Sequence, residues 1–420
     1  MLRGLGCAAE DAGSVPRRAL PAETPPALAA RRGDDGRPAL ARRPATRHRH
    51  GVTTPLHQLP ARAGRAPVLA ALTMLGALVA GCVPAPSAGS APAAAAGSLL
   101  VLNKAAASAA IIDPRTGATT ATLPTGEGPH EVAVSPDGRL AVVTNYGAPQ
   151  QPGSTLTLLD LAARRPLATI DVAPLRRPHG VAWLPDGRRV AVTFETDSLV
   201  ALVDVIERRV VARVRTNQGG SHMLVLSRDG ARAYVANIGS GTVSMLDLEG
   251  RYLQRTTATG AGAEGIALSP DGARLWVTNR AANTVTVLDA ETLTPVDTLR
   301  SADFPIRVAF TPDGRLALVT NARSGTLRLF DAARGDSVAT IALPVDSTRT
   351  RGTMLGTEFG RGTGVPIGVL VGGDGRTAYV ANANADLVTV VDLATRRVTG
   401  YLTTGREPDG LAWVPARPTP

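Results

Sequence analysis

The fold of this chain is decided by one stretch, which reads Gly265-Ile266-Ala267-Leu268-Ser269-Pro270-Asp271-Gly272, then Leu275-Trp276-Val277-Thr278-Asn279, then Thr284-Val285-Thr286-Val287-Leu288-Asp289. Short apolar runs with alternating polar residues are typical of β-strands. Pro-Asp-Gly favours a tight turn, because proline presets one backbone angle and glycine tolerates a positive φ. Val296-Asp297-Thr298-Leu299 follows as a fourth predicted strand.

The same layout recurs along the chain. An Asn is followed ten residues later by an Asp in five pairs, which are Asn103/Asp113, Asn237/Asp247, Asn279/Asp289, Asn321/Asp331 and Asn382/Asp392. Phe194/Asp204 keeps the spacing without the Asn, and Asn145/Asp160 is five residues longer. Four strands in a repeat of about 42 residues are typical of a β-propeller blade. Because each Asp has the same phase in its blade, we interpret these residues as structural, binding turn amides.

The starts of the first strands give the number of blades. They fall at seven positions: Pro129, Pro178, Ser221, Ala263, Pro305, Pro366 and Pro408. The sequence therefore predicts an all-β, seven-bladed propeller over residues 98–417. The repeats begin on a second strand, at residues 99–103, and end on a first strand, at residues 410–414. Both termini are thus predicted to close the seventh blade and to cover edges that would otherwise be open.

Three of the second strands carry a family resemblance. They read Tyr234-Val235-Ala236-Asn237, Trp276-Val277-Thr278-Asn279 and Tyr379-Val380-Ala381-Asn382, and each is followed by a strand that ends in Asp. These strands resemble the YVTN-type β-propeller repeat family. The resemblance implies a propeller, similar to the seven-bladed lactonases, but leaves function open, since such repeats occur in surface proteins, binding proteins and enzymes.

The N-terminal part predicts export. Residues 68–80 are apolar, follow Arg62 and Arg65 and precede Gly81-Cys82, so we interpret residues 62–81 as a signal peptide. The ending Leu78-Val79-Ala80-Gly81-Cys82 resembles the lipobox of bacterial lipoproteins. That resemblance implies cleavage before Cys82, lipidation of its thiol, a membrane anchor and a place in the cell envelope outside the cytoplasm.

The segments on either side of the signal peptide have no predicted core. Residues 1–61 are interpreted as a low-complexity extension, with translation from Val52 as a hypothesis about the gene. Residues 82–97, rich in Ala, Pro, Ser and Gly, predict a disordered tether.

Net charge argues against a nucleic-acid partner. Residues 1–81 hold 12 arginines and 5 acidic residues, whereas the rest of the chain holds 33 basic and 30 acidic residues. The formal charge of +10 therefore comes largely from the segment before the repeats. Both cysteines, Cys7 and Cys82, also precede the repeats, so the propeller contains no internal disulfide.

Histidines mark the predicted site. Every histidine of the repeat domain is the second residue of a first strand, on three consecutive blades: His130, His179 and His222. Glu264 has the same position in the next blade. First strands line the central channel of a propeller, so these four residues predict a divalent transition-metal site at its mouth. The alternative is that these histidines only bond to neighbouring loops.

Two insertions lie on the same predicted face. One follows the second strand of the first blade at residues 146–154, and the other spans residues 344–365 before the sixth blade. Long loops in compact domains often carry function. Together with the strand starts they give the predicted ligand-binding residues, which are Glu131, Glu195, Arg307, Arg349, Arg351 and Arg361. Solvated loop arginines remain the alternative for the last three.

Two functions follow from these patterns. The first is a lipid-anchored extracytoplasmic scaffold that binds a small molecule or a protein at the channel mouth, and it is favoured because the repeats hold no nucleophile motif, haem-attachment cysteine or phosphate loop. The alternative is a metal-assisted hydrolase, lactonase or lyase that uses the histidines. In that case His130, His179 or His222 polarises a carbonyl or holds the metal, and Glu131 or Glu264 moves protons. Export argues against a cytoplasmic sugar-phosphate lactone as the substrate.

Overall fold

Seven four-stranded antiparallel sheets make up the computed structural model, which describes residues 97–350, 359 and 362–416. The predicted signal peptide, Cys82 and the tether up to residue 96 lie outside the described residues. Arg351 and Arg361 lie outside them as well. No helical segment among the described residues is long and apolar enough to cross a membrane.

Each of blades 1 to 6 uses four consecutive strands, and each first strand begins at the predicted residue. The strands of blades 1 to 3 are β4 Pro129–Val134, β5 Leu140–Gly147, β6 Pro152–Asp160, β7 Arg165–Asp171, β8 Pro178–Trp183, β9 Arg189–Phe194, β10 Leu199–Asp204, β11 Arg209–Arg215, β12 Ser221–Leu226, β13 Arg232–Asn237, β14 Thr242–Asp247 and β15 Tyr252–Ala258. Those of blades 4 to 6 are β16 Ala263–Leu268, β17 Arg274–Asn279, β18 Thr284–Asp289, β19 Pro295–Arg300, β20 Pro305–Phe310, β21 Leu316–Asn321, β22 Thr326–Asp331, β23 Ser337–Ala342, β24 Pro366–Val371, β25 Thr377–Asn382, β26 Leu387–Asp392 and β27 Arg397–Thr403.

Blade 7 joins the two ends of the domain. Its strands are β1 Gly97–Asn103, β2 Ser108–Ile112, β3 Thr119–Pro124 and β28 Pro408–Pro415, and their order in the sheet is β28, β1, β2, β3. β28 runs antiparallel to β1 from Gly97 opposite Pro415 to Asn103 opposite Pro408. The prediction of a seven-bladed propeller with a blade closed by both termini is confirmed.

The repeated Asp residues stabilise turns. All seven end a third strand or immediately follow it, and each accepts a hydrogen bond from a backbone amide two or three residues further on: Asp113, Asp160, Asp204, Asp247, Asp289, Asp331 and Asp392. The repeated Asn residues bind hydroxyls of the adjoining strand, as Asn279 does through Thr284 and Thr286 at 3.1 and 2.9 Å. These bonds agree with the structural interpretation.

The core lies between neighbouring blades. Side chains of adjacent sheets interlock in clusters built mainly of Val, Leu, Ile and Ala, as expected for a chain that is only 3% aromatic. Trp276 is the largest fully buried side chain, and its ring meets Phe330 edge-on with centroids 5.6 Å apart. First strands of neighbouring blades also contact each other around the central channel, which places their starting residues together.

Candidate functional site

Two repeat positions build the channel mouth. We call the second residues of the first strands the first ring; in blades 1 to 7 they are His130, His179, His222, Glu264, Ile306, Ile367 and Asp409. We call the residues that follow Asn145, Phe194 and the other repeated Asn residues the second ring; in blades 1 to 7 they are Tyr146, Glu195, Ile238, Arg280, Ala322, Ala383 and Lys104. All seven first-ring residues are at most 6% exposed.

An irregularity in every first strand directs side chains into the channel. In blades 1 to 6 the pairing between first and second strands shifts just after the first residue, for example between Pro129 and Val132. Such bulges change the direction of the side chains beside them. In blade 1 the freed amide of Glu131 donates to the Thr144 hydroxyl at 3.0 Å, and that hydroxyl donates to the carbonyl of His179 in the next blade at 2.8 Å. The threonine thus fixes the backbone next to His130 and that of His179 at once.

The three histidine rings lie against one another in a row that we call the histidine stack, with neighbouring planes tilted by 43° and 39°. The ring centroids of His130 and His179 are 4.0 Å apart, and those of His179 and His222 are 3.6 Å apart. His179, in the middle, is fully buried, and neither of its ring nitrogens has a hydrogen-bond partner in the described part of the chain. Tyr146 meets both His130 and His179 edge-on. Buried ring nitrogens normally have a hydrogen-bond partner, and where the protein offers none, a water, an ion or a substrate can take that place.

Charged side chains around this stack connect neighbouring and opposite blades. His222 binds Glu195 at 3.0 Å through Nδ1, and the other oxygen of Glu195 accepts a short hydrogen bond from Tyr146. Across the channel, Arg307 Nη2 lies 2.6 Å from Glu131 Oε1.

Glu264 and Asp409 complete this network in the first ring. Glu264 is 3.4 Å from both Arg307 and His222 and 2.9 Å from Arg280. Asp409 lies 3.4 Å from Lys104 and 3.3 Å from His130.

The histidines differ in their tendency to carry a proton. Burial, together with repulsion from Lys104 and Arg307, lowers the pKa of His130 well below the ordinary imidazole value. Burial also lowers the pKa of His179 in the same way, and its two neighbouring histidines add to the effect. Burial would lower the pKa of His222 as well, but its bonds to Glu195 and Glu264 outweigh burial and raise it.

The carboxylates of the cluster differ similarly. Burial opposes ionisation of Glu264, yet His222, Arg280 and Arg307 lower its pKa to about 2. Burial raises the pKa of Glu131 in spite of its bond to Arg307. Strongly shifted groups that share a cavity are typical of functional sites.

A cavity of about 370 Å³ opens at this mouth. The polar residues that line it include His130, His179, His222, Tyr146 and Glu195, and the apolar residues include Ile306, Ile367 and Phe359. A cavity of this size accepts a small organic molecule.

The predicted residues fall into three groups. The structure brings His130, His179, His222, Glu264, Glu195 and Arg307 to the cavity wall. Glu131 lies in the network but is bonded to Arg307 and does not line the cavity. Arg349 is an exposed residue of the one-turn 3-10 helix Ser347–Arg349 and does not line the cavity either. Nothing in the described residues places Arg351 or Arg361, which stay predictions.

Sequence reasoning missed Lys104. This side chain follows Asn103 in the second ring, is only 5% exposed, and lies 5.7 Å from the centroid of the Tyr146 ring. It is the only lysine among the 45 basic residues of the chain, and that rarity was a usable signal. Arg177 was also missed; it lines the cavity, and its guanidinium lies 4.7 Å from the centroid of the Tyr146 ring.

The donor set fits a transition-metal ion. His130, Glu131 and His179 each offer a ligand atom, and these atoms lie within 4.8 Å of one another. This set shares His130 and His179 with the predicted one, and Glu131 is paired with Arg307 just as Glu264 is, so the predicted set of His130, His179, His222 and Glu264 stays a prediction. Unpartnered buried imidazole nitrogens suit such an ion, which would supply a polarised water to the cavity. Metal binding itself stays a prediction.

Comparisons with known proteins agree with this architecture. The family model described as "Lactonase, 7-bladed beta-propeller" matches residues 103–338. A crystal structure of a functionally unknown protein from Desulfotomaculum acetoxidans is similar at a TM-score of 0.63 and 14% identity, covering 77% of this chain and 100% of that one. Hydrazine synthase from Kuenenia stuttgartiensis is similar at a TM-score of 0.57 and 19% identity, covering 67% and 88%. At such identities the two structures support the fold alone. No curated protein sequence matches the chain significantly.

Proposed function

Because the chain belongs to the lactonase family of seven-bladed β-propellers, we propose that it hydrolyses a lactone in the channel-mouth cavity. The observation that carries this proposal is the imidazole of His179, which borders the cavity with both nitrogens unpartnered between two other histidines. Such a group can accept a proton from water and return it, which is the task of a general base in ester hydrolysis.

In this reaction an imidazole and Lys104 have separate roles. An imidazole of the stack takes a proton from a water molecule as the water oxygen forms a bond to the lactone carbonyl carbon. Lys104 lines the same cavity and offers an ammonium donor to the carbonyl oxygen as it gains negative charge. The bond between the carbonyl carbon and the ring oxygen then breaks, and that oxygen receives the proton. The product is an open-chain hydroxy acid.

Ring opening measured by alkali consumption tests this proposal. The full chain should hydrolyse at least one member of a panel of γ- and δ-lactones, and His179→Ala should reduce kcat at least about 100-fold, as expected for loss of a general acid or base. Arg349→Ala serves as the control, because this exposed side chain lies outside the cavity wall and its loss should leave kcat unchanged. Circular dichroism and a thermal melt establish that each variant is folded.

The binding-scaffold prediction gives a different result in the same experiment. A scaffold would bind lactones or other small molecules saturably without opening them, and His179→Ala would weaken binding alone. No hydrolysis of any lactone by the folded wild-type protein would overturn the proposed activity.

We also propose that the protein acts outside the cytoplasm, held to a membrane by lipid on Cys82. The apolar segment and the small residues before Cys82 support this proposal. Cys82→Ser should move the protein from the membrane fraction to the soluble fraction. Cys7→Ser, the same chemical change before the signal peptide, should have no effect. Retention of Cys82→Ser on membranes, or a mature protein that begins before residue 52, would contradict the anchor.

A further inference from the structure

One sector of the channel mouth is apolar. In the first ring, five consecutive blades carry charged or imidazole side chains, whereas blades 5 and 6 carry Ile306 and Ile367. The second ring changes in the same two blades, which carry Ala322 and Ala383, and elsewhere it is polar except for Ile238 of blade 3. Both rings therefore lose their polarity together in one sector, on the side of the channel that faces the histidines.

The inserted link before blade 6 adds an aromatic ring to this sector. Phe359 is 8% exposed and borders the cavity, and it meets Phe304 edge-on with centroids 5.1 Å apart. With Ile306, Val365 and Ile367 these rings form a cluster that is distinct from the cores between blades. We call this cluster the apolar wall.

The cations that line the cavity are largely neutralised. Three of them pair with carboxylates: Lys104 with Asp409, Arg280 with Glu264, and Arg307 with Glu131 and Glu264. Of the described cations that line the cavity, only Arg177 has no carboxylate partner; it donates to the carbonyl of Pro149 at 2.8 Å. A phosphate dianion is normally held by several free cationic donors, so this charge balance does not favour a phosphorylated ligand.

We propose that the substrate is a lactone with a hydrocarbon substituent, alkyl or aryl, that packs on the apolar wall while its ester faces the histidines. This inference deepens the proposed function and rests on it. A sugar lactone would place hydroxyl groups against Ile306, Ile367 and Phe359, where they find no partner, and each unpaired hydroxyl reduces affinity. A hydrocarbon substituent gains from the same contact, because its apolar surface leaves water.

A series of γ-lactones tests the inference. The full chain is assayed with γ-butyrolactone, γ-hexalactone, γ-octalactone and γ-decalactone, beside glucono-δ-lactone and its 6-phosphate. Each buried methylene should lower KM about three- to fourfold until the wall is covered, with kcat nearly constant. A KM that is independent of chain length, or preference for either sugar lactone, would overturn the inference.

A matched pair of variants locates the effect. Ile367→Thr places a hydroxyl on the apolar wall and should flatten the dependence of KM on chain length. Ile170→Thr makes the same change in a core between blades, away from the cavity, and should keep the wild-type dependence even if it lowers the melting temperature. Equal chain-length dependence in wild type and Ile367→Thr would contradict the proposed position of the substituent.

Binding of 3-alkylcyclopentanones, in which CH2 replaces the ring oxygen of a γ-alkyl-γ-lactone, separates this inference from the proposed activity, because these ketones lack the ester bond that is hydrolysed. If no lactone is opened but ketone affinity rises with chain length and falls in Ile367→Thr, the apolar wall is supported and the hydrolase proposal fails. If lactones are opened but ketone affinity does not depend on chain length, the hydrolase proposal stands and the proposed packing of the substituent on the apolar wall is wrong.

Discussion

At the scale of single residues, Glu264 holds the cationic side of the site together. Its carboxylate lies between His222, Arg280 and Arg307, and the side chain is almost completely buried. Buried charges are tolerated only when partners offset their loss of water. Removing the charge of Glu264 therefore leaves buried cations without part of their compensation.

Glu264→Gln should reduce the free energy of unfolding by about 3 kcal/mol, the order observed when a buried ion pair loses one partner. Urea unfolding measures the change. Arg334→Ala, which removes a well-exposed cation paired with Asp331 and Asp336, is the control and should leave stability at the wild-type value. Equal stability of Glu264→Gln and wild type would show that the network is not needed for folding.

The site could be predicted from the sequence mainly where one residue type recurred at one repeat position. Histidines are few, so their common phase was visible, and the structure brings His130, His179 and His222 together. Lys104 was missed, although it is the only lysine of the chain, because the second ring has no common residue type: it holds Lys, Tyr, Glu, Ile, Arg and Ala. The pairing of Glu131 with Arg307 depends on two blades that face each other across the channel, and no local pattern encodes that contact.

At the scale of strands and turns, the sequence predicted well where the first strands begin, but it predicted poorly which way their side chains point. Proline or a small residue at each first strand, followed in blades 1 to 6 by an Asp-Gly turn, placed all seven starts correctly. The irregularity that turns Glu131 and Arg307 inward could not be predicted, because it depends on the register between two strands and on the threonine of the second strand.

The turn carboxylates should make stability depend on pH. A backbone amide and the hydroxyl of Thr292 hold the pKa of Asp289 below its ordinary value of 3.8, and that of Asp392 is lowered in the same way by Thr395. Because the pKa is lower in the folded state, the unfolded chain takes up protons first. The stabilisation is therefore complete above about pH 5 and is lost as pH falls through the folded-state pKa.

Urea unfolding of wild type and Asp289→Asn between about pH 6 and pH 3 checks this prediction. The wild-type protein should lose stability over the lower part of this range, and the variant, which lacks one of these carboxylates, should lose less. Identical pH dependence in the two proteins would mean that this turn does not contribute.

At the scale of the whole molecule, closure of blade 7 keeps the ring intact. β28 pairs with β1 and also contacts the first strands of blades 1 and 6, so one C-terminal strand joins three blades. It also carries Asp409, the first-ring partner of Lys104.

Deletion of residues 408–420 should expose the edge of β1 and cause aggregation with loss of the cooperative thermal transition. Deletion of residues 417–420 alone, beyond the described end of the chain, is the control and should melt like the full protein. A soluble, cooperatively melting product of the longer deletion would show that closure by both termini is dispensable.

If lactones bind at the stacked histidines, the imidazole NMR signals of these residues should respond to a bound lactone analogue. With ¹⁵N-labelled histidine, the signals of His130, His179 and His222 are assigned by single His→Ala variants and followed as 3-butylcyclopentanone, an unreactive analogue of a γ-lactone, is added. All three signals should shift with one saturable affinity, and Arg349→Ala should leave this affinity unchanged. Saturable binding of the ketone with all three signals unmoved would contradict binding at the stacked histidines.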